Sequence, residues 1–199
     1  MFDAAHACAA AAAIAFGTAA LLVVALHVAP SGVSILGDGV SGYALERHAA
    51  WYRAQVVLFG SGGLLLAAAI GLRASEAGGL AALVAFALAR VAIARFPTDA
   101  RGAAVTRTGG LHILLALVAF VCLPVVALRL SPAVGQLVGE GQPYGGWLTA
   151  LSWALTVAMV VMFGSSVGAT RRFFGLFERS EYLTGFAWLL LAAAVLAVA

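Results

Sequence analysis

One stretch of this hydrophobic chain is dense in charge: residues 90–112, RVAIARFPTDARGAAVTRTGGLH. It carries Arg90, Arg95, Asp99, Arg101 and Arg107, and closes on His112 at the mouth of the next apolar run. A carboxylate and an imidazole among guanidinium groups could form a proton relay or an anion clamp, because guanidinium matches the geometry of phosphate and carboxylate. The same residues could instead staple a reversing backbone at the bilayer edge. Pro97 cannot continue a helix, and Thr98 and Asp99 offer turn-forming oxygens. Site and staple both fit the spacing. Either way Asp99 and His112 are expected on one membrane face, coupled directly or through Arg95 or Arg101, since a single helical reversal separates them.

Other candidates gather around this stretch. Arg90 lies inside an apolar run, where a charge is costly and usually finds a partner or a water-filled cavity. It could snorkel to the interface, pair inside the bundle, or meet a ligand. Asp38, Glu46 and Arg179 fall in segments that return to the same side, as does Glu181-Tyr182, which reads as a solvated helix end. Trp51, Tyr52 and Trp147 resemble interfacial aromatic anchors. The four histidines raise haem b as an alternative cofactor, with His27 and His112 as ligands, since paired histidines on facing helices hold haem in bundles. No metal-ligand spacing accompanies them, and no cofactor is the main expectation. No phosphate cradle, nucleophile elbow or zinc-protease pattern is present, so no catalytic residue is assigned.

The elements that must position these residues are membrane helices. Apolar residues make up 64% of the chain and charged residues 10%, with mean hydropathy +1.07. A soluble domain has roughly 25% charged residues. Six apolar runs reach or approach the ~20 residues that a spanning helix needs, at 4–29, 49–72, 77–96, 110–130, 146–168 and 182–199. Without period-two alternation they exclude a barrel. The expectation is therefore one all-α domain over 1–199, an integral membrane bundle of six helices. Small residues such as Gly60, Gly62 and Gly63 favour close helix approach. Residues 131–145 read as a loop, and residues 171–182 as a short basic, aromatic helix lying in the interface. Residues 1–29 lack a basic start and a cleavage site, and read as a permanent span. Cys8 and Cys122 read as buried thiols.

The positive charge is all arginine, and the formal net charge of +3 is too small and dispersed for nucleic acid. Six spans put both termini with Arg73 and Arg129 on one side. Arg47, Arg53, Arg95, Arg101, Arg107, Arg171, Arg172 and Arg179 fall on the other. The positive-inside rule then places the odd-numbered loops in the cytoplasm and both termini in the periplasm.

Arg95-Phe96-Pro97-Thr98-Asp99, followed by Thr106-x-x-Gly109-x-x-His112, resembles a bacterial family of multi-span proteins catalogued only as a domain of unknown function. Ser34-Ile35-Leu36-Gly37-Asp38 and Gly175-Leu176-Phe177-Glu178-Arg179 extend the resemblance. It implies a six-helix fold and a functional face built from loops one, three and five, and the expected location is the bacterial inner membrane. Asp99 and His112 carry over, then Asp38 and Arg179. The resemblance reaches distantly to eukaryotic multi-span proteins associated with lipid handling. The expected function is binding of an anionic lipid or lipid-linked amphiphile at that face. The alternatives are an accessory subunit of a larger membrane complex, and a haem-binding or other membrane enzyme.

Overall fold

The computed structural model describes residues 3–139 and 142–199. Among them are six α-helices: α1 (Ala4–Val28), α2 (Ala49–Gly71), α3 (Ala77–Ile93), α4 (Arg107–Val138), α5 (Tyr144–Gly164) and α6 (Phe174–Val198). Each packs against its neighbours in sequence, and α6 closes the ring on α1 while also touching α4 and α2. Five are long and apolar enough to cross a bilayer. The other, α3, has 17 residues, about 26 Å at 1.5 Å per residue. Pro97 stops it early, but Ala94, Arg95 and Phe96 add a 3-10 turn by donating to Val91, Ala92 and Ile93. That turn brings α3 to about the ~30 Å of a hydrocarbon core.

Local chemistry sets most helix ends. Asp3 caps α1 by accepting the His6 N–H (3.0 Å). Glu76 caps α3 through the Gly79 N–H, and Thr106 Oγ1 caps α4 through the Gly109 N–H (3.0 Å). The first cap belongs to a cluster on the side of the termini. Arg73 donates to the Leu196 carbonyl (3.3 Å) and to His6 Nε2 (3.0 Å), and lies 3.6 Å from Asp3. The N–H and imidazole of His6, with Arg73, hold the Asp3 carboxyl down at about 2, below its ordinary 3.8. A depressed carboxyl stabilises the folded chain above its unfolded value and ceases to as pH falls through the folded one. Asp3→Asn keeps the cap and loses the charge. We therefore expect a small melting-temperature deficit for this variant that is constant above about pH 4 and disappears as pH approaches 2, read by thermal melting in detergent.

Two helices differ from the apolar runs. α4 continues beyond 130 to Val138, through Pro124 and Pro132, so residues 131–138 are helix rather than loop. Each proline withdraws one N–H, and within a membrane neighbouring helices can re-satisfy the region. Beside Pro132, Ser131 donates to the Ala127 carbonyl (2.6 Å) and accepts from the Trp188 indole (2.9 Å), with Ser152 Oγ 2.7 Å away. This network ties α4, α5 and α6 together at the side of the termini. The second difference is α6, which begins at Phe174, so the expected interfacial helix over 171–182 is largely the first two turns of α6. Only a 3-10 turn, Gly168–Phe173, precedes it. The early start is possible because Glu178 and Glu181 are buried against the bundle and are not solvated.

Candidate functional site

The odd-numbered loops do share one side. Loop one folds over the bundle as a 3-10 turn, Val40–Leu45, preceded by a tight turn in which Asp38 Oδ2 accepts the Ser34 N–H (2.9 Å). It is fastened to α6 at several points. The Leu176 N–H donates to the Leu36 carbonyl (3.2 Å). Arg179 Nη1 donates to the carbonyls of Ile35 (3.0 Å) and Asp38 (2.8 Å), and Arg179 Nε donates to His27 Nε2 (2.6 Å). Gly175 permits this approach, since a Cβ there would stand 2.8 Å from the Ile35 oxygen. Arg101 reaches across from loop three to Asp38 (3.0 Å).

Beneath this roof lies a cavity of about 590 Å³ between loop one, loop three and helices α2 to α6. Its volume falls in the ~300–1,000 Å³ range of small-molecule sites. One wall is apolar: Ile113, Leu117 and Phe120 of α4, with Met162 and Phe163 of α5. The polar lining includes Arg90, Tyr52, Tyr182, His112 and Glu178. α4 and α5 meet closely near Gly135 and Gly145 and at Ser131–Ser152. At their other ends the cavity lies between them.

Arg90 is the central group. It is only 3% exposed, and its guanidinium stays charged at any accessible pH. Arg90 Nη2 donates to the Tyr182 hydroxyl (2.7 Å) and, at 3.5 Å, to the Gln55 amide oxygen. Its Cζ lies 4.9 Å from the ring centroids of both Phe59 and Tyr182, an attractive arrangement when desolvated. No carboxylate among the described residues stands within 4.0 Å of it. Arg90 Nε, Arg179 Nη2, Gln55 Nε2 and Glu181 Oε1 are buried without a hydrogen-bond partner. Orphaned buried donors are rare, and each calls for an explanation. Of the two guanidinium donors among them, that of Arg90 sits on a residue that lines the cavity.

The remaining sequence candidates separate. Arg101, Asp38, Asp99, Glu46 and His112 line the cavity with Arg90, whereas Arg95 and Arg179 do not. Arg95 is exposed, and Arg179 is engaged by loop one and His27. Asp99 and His112 staple the same reversal, yet not to each other. Asp99 accepts from the Thr106 N–H (2.9 Å) and hydroxyl (2.8 Å). His112 Nδ1 donates to the Phe96 carbonyl (2.7 Å). Arg101, expected beside Asp99, pairs with Asp38, and no arginine bridges Asp99 to His112 among the described residues. We expect Asp99→Ala to lower stability by about 1 kcal/mol, the usual net worth of a hydrogen bond, while leaving ligand binding unchanged. Thermal melting and lipid titration check the two halves. For His27, Nδ1 donates to the Val23 carbonyl (2.7 Å) and Nε2 accepts from Arg179. Neither nitrogen is left for a haem iron.

Gln55 and Glu178 are not among the sequence candidates, and Glu181 reads there only as a solvated helix end. Gln55 is a lone amide in an apolar run, and Glu178-x-x-Glu181-Tyr182 puts two carboxylates and a phenol on one helix face. Both are signals of partners for a buried arginine.

A ring of bilayer-spanning helices around a roofed chamber, with an unpaired guanidinium in its wall, defines a multi-span membrane protein with an internal polar site. A family model described as "Protein of unknown function (DUF998)" matches residues 11–195, and the chain belongs to that family. No curated protein and no solved structure matches it.

Proposed function

We propose that this protein binds a membrane amphiphile whose head group carries an anion, phosphate or carboxylate, against Arg90, with the apolar chain along the α4–α5 wall. The observation that carries this reading is the state of Arg90: buried, permanently charged, fixed by neutral partners and lining a cavity. An intramembrane charge of this kind marks a functional site by default. An anion there would meet the unpartnered Nε, and the Tyr52 side chain lines the same cavity. The apolar wall suits a hydrocarbon chain, and the position of the cavity between α4 and α5 offers a side entrance from the bilayer. Asp99 and Arg179 act as fasteners that hold the roof and the reversal in place.

In this reading the chamber side is cytoplasmic and both termini lie outside, in a bacterial inner membrane. The arginine bias supports that orientation, and a reporter fused after Ala199 that is active only in the cytoplasm would overturn it. The test of function is native mass spectrometry after gentle extraction. A phosphate- or carboxylate-bearing lipid retained by the protein supports the proposal. A protein released free of any lipid, and unable to take one up on titration, contradicts it.

A further inference from the structure

A guanidinium, Arg90, and a carboxyl group, Glu178, are 3% and 4% exposed and line the same cavity. No ion pair joins them. Each is held by a different neutral partner. Arg90 is fixed by Tyr182 and Gln55, whereas Glu178 Oε2 accepts the Val40 N–H of the roof (2.6 Å). Tyr182 follows Glu178 by one helical turn, so the anchor points of the two charges are about 6 Å apart along α6. Glu181, the other buried carboxylate of α6, is not part of the lining. The chamber wall therefore presents a cation and a carboxyl group that are held by different partners and not by each other.

We propose that the chamber is a socket for a zwitterionic head group, with its phosphate at Arg90 and a primary ammonium at Glu178. This rests on the preceding reading, that an anionic group of an amphiphile meets Arg90, and names the class of head group. A purely anionic head would leave the Glu178 carboxyl without a donor. A purely cationic one would meet Arg90. An ammonium linked to a phosphate by a short carbon chain satisfies both, and an N–H donor is what the free carboxylate oxygen of Glu178 can use. Glu46 of loop one, half-buried, also lines the cavity.

The experiment is a titration of the delipidated full chain in non-ionic detergent, read by native mass spectrometry. The probes are phosphatidylethanolamine, phosphatidylglycerol and soluble glycerophosphoethanolamine. Phosphatidylethanolamine should bind about tenfold more tightly than phosphatidylglycerol, the factor that ~1.4 kcal/mol supplies. Glu178→Gln keeps an oxygen for the Val40 N–H and should collapse the ratio towards one by weakening phosphatidylethanolamine alone. Equal or tighter binding of phosphatidylglycerol overturns the proposal, as does a preference that survives Glu178→Gln. Should that variant not fold, the wild-type comparison decides by itself. Uptake of neither lipid defeats the amphiphile reading and this one with it. Competition by the soluble head group as strong as that of the lipid keeps the socket and removes the role of the apolar wall.

Discussion

Arg90→Met is expected to remove ligand binding while leaving the bundle as stable as before, or more so. Methionine approximates the length of the arginine stem and fills irregular space. What it lacks is the charge. Removing a buried, hydrogen-bonded charge that a ligand pairs with costs ~2–5 kcal/mol of binding, a loss of roughly 30-fold to several-thousandfold. Folding responds in the opposite sense. Without ligand, Arg90 is a desolvated cation with one unpartnered donor, and an apolar residue of similar volume is often neutral or stabilising at such a site. Thermal melting with and without added lipid separates the two effects. The wild type should gain stability from lipid by mass action, and Arg90→Met should gain none. A variant that unfolds outright would make Arg90 a structural strut.

Gly60→Leu is expected to be the most destabilising single change in the bundle. A Cβ at Gly60 would stand 2.5 Å from the Ala87 carbonyl oxygen and 2.9 Å from the Val91 nitrogen. These are backbone atoms of α3 and cannot rotate aside, so α2 and α3 must separate. Overpacking commonly costs ~1–3 kcal/mol, and a backbone contact belongs at or above the top of that range. The change also reaches the site, because Phe59 and Gln55 of α2 hold Arg90 of α3. Folded yield and melting temperature should fall together with lipid retention. Gly17→Ala in α1 is the control. Nothing lies within 4 Å of a Cβ there, and alanine should be neutral or slightly stabilising in a helix.

Hydropathy alone marks the helical spans and the sides on which the loops lie, because bilayer thickness imposes run length directly. The ends of α4 and α6 are less legible. Pro132 and the charges at Glu178 and Glu181 read as boundaries, and they become helix interior only because Ser131, Ser152 and the bundle receive them. The site was half legible. Arg90 stands out as a lone charge in an apolar run. The denser Asp99, Arg101 and Arg179 attract notice, but they brace a helix start and fasten a roof, and sequence pattern does not distinguish a carboxylate that accepts from backbone from one that awaits a ligand. Gln55 and Glu178 depend on which way α2 and α6 turn relative to α3, a property of three-dimensional packing that one-dimensional periodicity in an all-apolar helix does not record.

The central claim is an amphiphile with its head at Arg90 and its chain between α4 and α5. Photo-crosslinking tests it most directly, using a phospholipid with a diazirine in its acyl chain and the protein in a bilayer, with labelled residues mapped by mass spectrometry. Labelling is expected at Ile113, Leu117, Met162 and Phe163 in the wild type, and its loss in Arg90→Met. Labelling that is identical in both proteins, or confined to outward residues such as Ile14, Leu21 and Trp153, would contradict it.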